Sequence, residues 1–191
     1  MINNKTISLF AYSWGTHIDT TNVVINHCKD VFPFFDNIIH YTPSTSSGQE
    51  YNRFIVEDLN SLIHTDFVLI IQNDGWIINP QKWTDNFLTY DYIGAPWPWH
   101  KVVGNGGFSI RSKKFLELSS KLKYDPKHHE YPYCPEDYFM CVMNRNYFTD
   151  NGCIFPDIKT GLEFSFEHHM SEYPQHTIKD SFGFHGKHNL K

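Results

Sequence analysis

The feature that most constrains this chain is a run of five apolar residues, Phe67–Ile71, which ends abruptly in Gln72-Asn73-Asp74-Gly75. Consecutive apolar residues rich in β-branched types predict a strand that is buried on both faces, as in the parallel sheets of α/β proteins. Ligands of such proteins bind beyond the carboxyl ends of the strands. Asp74 therefore has two interpretations: it caps a tight turn, or it helps to bind a divalent cation at this edge of the sheet.

Strands and helices alternate through the first part of the chain. Strands are predicted at Ile7–Tyr12 and Asn37–Tyr41, and a helix is predicted from about residue 19 to residue 32. A second helix is expected after Ser47, because Ser47 and Glu50 have the spacing of a capping box. Together with Phe67–Ile71, these elements predict a parallel, right-handed βαβ layout.

The second half of the chain has a looser pattern. Asn79-Pro80 indicates the start of a helix, and residues 90–95 indicate a strand. The turn Gly104–Gly107 leads into Phe108–Arg111, whose alternation predicts a half-buried strand. Glu163–Glu167 alternates in the same way and is also predicted to be a strand.

Several side chains in this half have both a structural and a chemical interpretation. Trp97 and Trp99 belong to two successive Pro-Trp pairs, which predict a stiff loop with exposed indoles, either packed on the sheet edge or facing a ligand. Glu136 and Asp137 begin a predicted helix, where acids are stabilised by the helix dipole alone. His185 has glycines close on both sides, Gly183 and Gly186, near the end of the sequence. A lone histidine of this kind is more often structural than a ligand.

Composition narrows the class of protein. The 191 residues are 40% hydrophobic and 19% charged, which predicts a folded chain with one domain over residues 1–191. The formal charge of −5 with no basic run argues against a nucleic-acid partner. No apolar stretch is long enough to cross a bilayer, and Met1–Lys5 does not open a signal peptide. The four scattered cysteines are interpreted as reduced thiols, which predicts a cytoplasmic protein.

A set of short motifs occurs along the chain in a characteristic order. The motifs are Gln72-Asn73-Asp74, Asp91–Trp97, Gly104–Arg111, Glu136-Asp137, Glu163–Glu167 and Phe182–His185. With Tyr51-Asn52-Arg53 on the second predicted helix, they resemble an uncharacterised glycosyltransferase-like domain family, DUF5672, placed among the GT-A nucleotide-diphospho-sugar transferases. The most specific part is the segment Gly104–Ser109 and its spacing to the acidic pair.

The resemblance implies a GT-A fold, with a mainly parallel central sheet flanked by helices and a loop-rich C-terminal half. It implies that about residues 1–95 bind the nucleotide and that about residues 96–191 bind the acceptor and carry out catalysis. The implied activity is hexosyl transfer from a nucleotide-sugar, with a UDP-sugar as the first candidate, to a glycan or other acceptor in glycan biosynthesis. The implied cofactor is Mn²⁺ or Mg²⁺. GT-A enzymes typically carry Asp-x-Asp where this chain has Gln72-Asn73-Asp74, so one of the two carboxylates is absent.

The resemblance also implies roles for individual residues. Asp74 and His185 would bind the metal ion, and Asp137, with Glu136 as the alternative, would be the catalytic base. The helix N-terminus is expected to keep Asp137 ionised. Arg53 would contact a donor phosphate or bridge to a surface acid. The remaining expected positions are Tyr12, Ser13, Gln72 and Asn73 for the donor nucleotide, and Asn105, Gly106, Gly107, Trp97 and Trp99 for the sugar and acceptor.

Two other functions are compatible with the sequence. The absent first Asp favours a non-catalytic module that binds nucleotide-sugars or carbohydrates with a degenerate GT-A site. A metal-dependent phosphohydrolase is less favoured, because it would need more carboxylates around the cation than this strand end provides.

Overall fold

The computed structural model describes residues 4–127 and 133–190. The described strands are, in chain order, β1 Ile7–Tyr12, β2 Asn37–Tyr41, β3 Phe67–Ile71, β4 Trp76–Ile77, β5 Tyr92–Ile93, β6 Pro96–Trp97, β7 Val102–Val103, β8 Phe108–Ser112, β9 Ser165–Phe166 and β10 Gly183–Phe184. The described α-helices are α1 His17–Val31, α2 Gly48–Arg53, α3 Lys113–Ser119, α4 Glu136–Tyr138, α5 Arg145–Asp150 and α6 Ile158–Phe164.

The central sheet contains five strands in the order β2-β1-β3-β8-β5. β1 pairs in parallel with both β2 and β3, as the alternation of strands and helices predicted. β8 is antiparallel to β3 and to β5, so four of the five strands point in the same direction. The fold is therefore mixed α/β with a mainly parallel central sheet, and its first three strands were correctly predicted.

Hydrophobic side chains fill both faces of this sheet, because alternate residues of each strand point to opposite sides. On one face Phe10 and Ile70 pack with residues of α2 and α3. On the other face Leu9 and Leu69 pack with apolar residues of α1. Burial on both faces explains the unbroken apolar run of β3 and places its polar continuation at the sheet edge.

Two helices change their winding inside the protein. α2 starts at the Ser47 cap, whose side chain accepts the Glu50 N–H, and it continues as a π-helix over Phe54–Asp58 and a 3-10 turn over Leu59–Ser61. α4 likewise continues as a π-helix over Phe139–Met143. π-turns of this kind occur frequently at functional sites.

Three predictions for the second half are wrong. Asn79-Pro80 starts a 3-10 turn, Pro80–Lys82, instead of a regular helix. Glu163 and Phe164 end α6, which the Asp157 side chain caps, so only Ser165–Phe166 of the predicted strand Glu163–Glu167 is extended. β8 is buried along its whole length instead of half-buried, because its polar side chains, including Arg111, have buried partners.

All four cysteines are buried and free. In the described ranges, 4–127 and 133–190, no helix has both the length and the apolar character needed to cross a membrane.

Candidate active site

The polar residues that follow β3 lie beside those that follow β1. The parallel register pairs Ala11 with Ile71, so Tyr12 and Ser13 leave the sheet next to Gln72. Together they line a cleft of about 260 Å³ at the carboxyl edge of the sheet. The lining residues are Tyr12, Ser13, Trp14, His17, Thr21, Tyr51, Gln72, Asn73, Asp74 and Lys187. The structure thus gathers four of the five residues expected to bind the donor.

Arg53, the fifth of these residues, is not in the cleft. Its guanidinium lies 2.8 Å from the Asp58 carboxylate and 3.5 Å from that of Glu57, and its side chain is half exposed. This is the surface ion pair that the sequence left open as the alternative to phosphate binding.

Strand pairing brings His185 to Asp74 across 111 residues of sequence. β10 runs antiparallel to β4 with Phe184 opposite Trp76, so the residue after β10 meets the turn before β4. The Gly186 N–H donates to the Asp74 carbonyl at 3.1 Å. The His185 Nε2 atom lies 3.3 Å from Asp74 Oδ1 and 3.2 Å from Gln72 Oε1. The two residues expected to share a cation are therefore in contact.

Glu167 holds the other side of the His185 ring, and the sequence analysis did not give it a role. β9 runs parallel to β10 with Phe166 opposite Phe184, which places Glu167 beside His185. The Glu167 Oε1 atom is 3.0 Å from His185 Nδ1, and its Oε2 atom accepts a hydrogen bond from Asn105 Nδ2 at 2.9 Å. The Glu163–Glu167 alternation was the available signal, but it was read only as a strand pattern.

The electrostatics of this group reflect its two carboxylates. Burial lowers the pKa of His185, but hydrogen bonds to Asp74 and Glu167 outweigh burial and raise this pKa to about 9. Burial raises the pKa of Asp74, but the hydrogen bond and charge of His185 reverse this effect and hold the pKa below its usual value.

The glycine loop before β8 lies directly against this group. A Cβ atom added to Gly107 would lie 2.0 Å from His185 Nε2, so any side chain here would displace the His185 ring. Asn105 is buried, and its Oδ1 accepts the Gly107 N–H at 3.1 Å. The Asn105 side chain therefore joins the loop to the Glu167–His185 pair.

The same loop contacts the acidic pair at the start of α4. The Gly106 N–H donates to Asp137 Oδ2 at 2.8 Å. A Cβ atom on Gly106 would lie 2.2 Å from Glu136 Oε1 and 3.0 Å from the Asp137 Cβ. Because consecutive Cα atoms are 3.8 Å apart, Asp137 Cβ and His185 Nε2 lie within about 12 Å of each other.

Glu136 and Asp137 have different surroundings although they are adjacent. Glu136 is buried and lies 2.9 Å from the guanidinium of the fully buried Arg111. Asp137 is half-buried and lines a cavity of about 180 Å³. Burial, and next the charge of Glu136, raise the pKa of Asp137 to about 7, although the Gly106 and Tyr138 N–H groups lower it. The expectation that the helix N-terminus keeps Asp137 fully ionised is therefore wrong.

The Asp137 cavity is lined largely by rings. Its other lining residues are Trp97, Trp99, His100, Pro135 and Tyr138. Trp99 is 58% exposed, as predicted, whereas Trp97 is only 6% exposed. The expectation of two exposed indoles is wrong for Trp97, because this residue belongs to β6 and its ring packs on Gly104 of the glycine loop.

Lys187 and His17 are further residues of the cleft at the ends of β1 and β3 that the sequence analysis did not identify. Lys187 follows His185 by two positions, and His17 opens α1. The charge of Lys187 acts on Asp74, and the His17 ring lies 3.1 Å from the Asn73 amide nitrogen.

The donor atoms around His185 Nε2 fit a small divalent cation only in part. Within the residues that the structure describes, no group of three or more His, Cys, Asp or Glu side chains could hold a metal ion. One carboxylate, one imidazole and one amide oxygen converge, however, from Asp74, His185 and Gln72. Mixed O and N ligands of this kind would suit Mn²⁺.

Comparison with solved structures identifies the fold. A glycosyltransferase involved in the glycosylation of the major capsid of PBCV-1 matches with a TM-score of 0.61 and 17% identity, over 95% of this chain and 93% of the other. The galactosyltransferase LgtC, solved with donor and acceptor sugar analogs, matches with a TM-score of 0.49 and 9% identity, over 96% of this chain and 88% of the other. The fold is that of the GT-A glycosyltransferases.

No curated protein sequence matches the chain. The model of the family described as "Protein of unknown function (DUF5672)" matches residues 37–185. This range runs from the first residue of β2 to His185 and includes Asp74, the glycine loop and the acidic pair. The chain is a member of the DUF5672 family, and its fold is that of a glycosyltransferase.

Proposed function

We propose that this protein is a glycosyltransferase that transfers a sugar from a nucleotide-sugar to a hydroxyl group of a glycan or glycoconjugate. The observation that carries the proposal is the position of the glycine loop between two chemical groups. Gly107 packs on His185, which contacts Asp74, and Gly106 donates to Asp137. A leaving-group site and a base on either side of one loop are what transfer between a donor and an acceptor needs.

The donor nucleotide would occupy the cleft at the ends of β1 and β3. Tyr12 and Ser13 would contact the nucleoside, and the amides of Gln72 and Asn73 offer hydrogen bonds to its sugar and phosphates. Lys187 would place a positive charge beside the diphosphate. A UDP-sugar is the first donor to test.

Asp74, His185 and Gln72 would hold a divalent ion, Mn²⁺ or Mg²⁺. When bound, such an ion would neutralise charge on the departing nucleotide diphosphate. Glu167 would accept a hydrogen bond from the His185 Nδ1–H, an arrangement that commonly orients metal-binding histidines. Because its pKa is about 9, His185 would release its Nε2 proton when the ion binds. Asn105 would in turn hold Glu167 in place.

Asp137 would act as the base. As the acceptor oxygen forms its bond to the anomeric carbon, the bond from that carbon to the diphosphate oxygen breaks, and the acceptor proton passes to Asp137. A base is most efficient when its pKa lies near the working pH, and the pKa of Asp137 is about 7. Glu136 is already paired with Arg111, so we assign the base to Asp137 rather than to Glu136.

The acceptor would enter through the cavity above Asp137. Trp99 presents its ring to solvent there, and His100 and Tyr138 have ring centroids 5.2 Å apart on the cavity wall. Such flat rings suit the apolar faces of sugars. Trp97 would form the inner wall against the glycine loop.

Binding and turnover test the proposal separately. Thermal shift with UDP, GDP and dTDP, with and without Mn²⁺, should identify one nucleotide whose stabilisation requires the ion. Nucleotide release from the matching nucleotide-sugar, measured with a panel of oligosaccharide acceptors, should then depend on an acceptor. Binding without release would favour the non-catalytic module, and sugar release to water alone would favour a hydrolase.

Asp137→Asn should abolish acceptor-dependent release and change nucleotide affinity by less than about threefold. Asp91→Asn is a matched control, because Asp91 is also partly buried and accepts hydrogen bonds from Ser112 Oγ and the Ile154 N–H at 2.6 and 2.9 Å. Asp91 lines neither the cleft nor the cavity. Equal loss of activity in both variants would show that Asp137 acts only through the fold.

A further inference from the structure

The glycine loop is anchored from beneath by one buried side chain that the proposed reaction does not use, Arg111 of β8. Its side chain is fully buried, which is rare for arginine unless it has a specific partner. Arg111 Nη2 donates to Glu136 Oε1 at 2.9 Å, and Arg111 Nε donates to Ser109 Oγ at 3.3 Å. One planar guanidinium thus contacts both α4 and the strand that follows the loop.

These contacts continue into the loop and return to the acidic pair. Ser109 Oγ donates to the Gly106 carbonyl at 3.0 Å, and the Gly106 N–H donates to Asp137 Oδ2 at 2.8 Å. Asp137 follows Glu136 directly in the chain, so the path returns to Arg111. Both the N–H and the C=O of the single residue Gly106 are therefore fixed by this ring of five residues.

Arg111 also acts on the other end of the loop. Its guanidinium lies over the Tyr92 ring, 4.9 Å from the centroid, and the Tyr92 hydroxyl donates to the Gly104 carbonyl at 2.7 Å. A lysine could not make these contacts together, because they need a flat group with several donors in fixed directions.

Stability alone does not account for this pair. Buried ion pairs are often no more stabilising than apolar residues of the same volume. Here Arg111 Nη1 and Glu136 Oε2 are buried and have no hydrogen-bond partner among the residues that the structure describes. Unsatisfied buried polar atoms are costly, so their presence points to a role beyond packing.

We propose that Arg111 is a positioning residue, which fixes the Gly106 peptide through Ser109 and the start of α4 through Glu136, and thereby holds the Asp137 carboxylate at the loop. This inference rests on the proposed role of Asp137 as the base. A mobile Gly106 peptide would withdraw the N–H group that orients Asp137 toward the acceptor cavity.

Ser109→Ala tests the link to the loop without changing any charge. We expect kcat for nucleotide release to fall about tenfold, with KM for the nucleotide-sugar and the thermal transition little changed. Ser8→Ala is the matched control. Ser8 lies in the first half of β1, is also fully buried, and its hydroxyl is hydrogen-bonded to the Thr65 hydroxyl at 2.8 Å. Equal kcat values for Ser109→Ala, Ser8→Ala and the unsubstituted protein would overturn the proposal.

Glu136→Gln tests the link to α4, since glutamine keeps an oxygen for Arg111 but removes the negative charge next to Asp137. The charged and titratable groups around Asp137 are Glu136, Arg111, Tyr51, Tyr92, Cys134 and Cys141, together with His100 and Tyr138 on the wall of its cavity. The charge of Glu136 raises the pKa of Asp137, and the charge of Arg111 lowers it. The acid limb of the pH–rate profile should therefore move to lower pH. An unmoved limb would show that the pair serves the fold alone.

NMR of the Asp137 carboxyl carbon during a pH titration measures the effect of Glu136→Gln on the pKa of Asp137 directly, without any need for turnover. If no nucleotide-sugar reacts at all, the proposed function fails, yet a lower titration midpoint in Glu136→Gln still supports the coupling of Asp137 to the Arg111 pair. Equal titration midpoints of Asp137 in Glu136→Gln and in the unsubstituted protein would overturn the proposal, whether or not the protein is an enzyme. If Glu136→Gln does not fold, the NMR titration of Ser109→Ala, which changes no charge, is the deciding measurement. Loss of the hydrogen bond from the Gly106 N–H to Asp137 would raise the titration midpoint of Asp137. An unchanged midpoint would refute the positioning role.

Discussion

The substitution Asp137→Asn should make the folded protein more stable at alkaline pH while it removes activity. Asp137 has a pKa of about 7 in the folded protein against 3.8 for a free side chain. Between these values the folded state keeps a proton that the unfolded state has released, so stability falls as pH rises. At 1.36 kcal/mol per pKa unit, the full loss above pH 7 is about 4 kcal/mol as an upper limit.

The measurable part of this effect lies between pH 5 and pH 8. Over that interval the linkage relation gives a loss of roughly 2–3 kcal/mol, and partial solvent exposure of Asp137 reduces it to the order of 2 kcal/mol. Asparagine cannot titrate, but it also cannot accept from both Gly106 and Tyr138, which costs about 1 kcal/mol. The variant should thus be less stable than the unsubstituted protein at pH 5 and more stable at pH 8.

Urea unfolding of both proteins at pH 5 and at pH 8 measures this quantity. The stability difference between the two proteins at pH 5, subtracted from that at pH 8, cancels the titrating groups whose pKa does not depend on Asp137. We expect the sign of the stability difference to reverse between the two pH values. A stability difference that is the same at pH 5 and pH 8 would refute the raised pKa, and with it the suitability of Asp137 as a base near neutral pH.

Other substitutions separate the parts of the site. Gly107→Ala should displace the His185 ring, because its Cβ would lie 2.0 Å from Nε2, and Mn²⁺ should then no longer strengthen UDP binding in calorimetry. His185→Ala should have the same effect, and an undiminished Mn²⁺ response in both variants would remove His185 from the metal site. Arg53→Gln should change UDP affinity by less than twofold, since its guanidinium is paired with acids outside the cleft; a tenfold loss would return Arg53 to the donor site. Trp97→Ala should lower the free energy of unfolding by about 3–5 kcal/mol, because its ring is buried. Trp99→Ala should lower it by less than about 0.5 kcal/mol and instead raise KM for the acceptor. Similar free energies of unfolding for the two variants would contradict the different burial of their rings.

Local patterns in the sequence determined the parallel half of the fold. β1, β2 and β3 were predicted from apolar runs and turn residues, and the Ser47 cap from its spacing to Glu50, because each of these signals lies within a few residues. The short motifs also supported the DUF5672 assignment, since their order along the chain does not depend on knowing which strands pair.

Tertiary structure decided the chemistry of the polar residues. The resemblance placed Asp137 ahead of Glu136 as the base without a physical reason for the order. The packing of Arg111 against Glu136 supplies the reason, because it makes Glu136 a buried partner and leaves Asp137 a half-buried carboxylate with a raised pKa. Glu167 gained its place beside His185 from the pairing of β9 with β10, two-residue strands whose register no local pattern specifies. A pKa and a shared contact depend on neighbours that are distant in sequence. This is why the motifs placed Asp74 and His185 in one site, while the raised pKa of Asp137 and the contact of Glu167 with His185 appeared only in the tertiary structure.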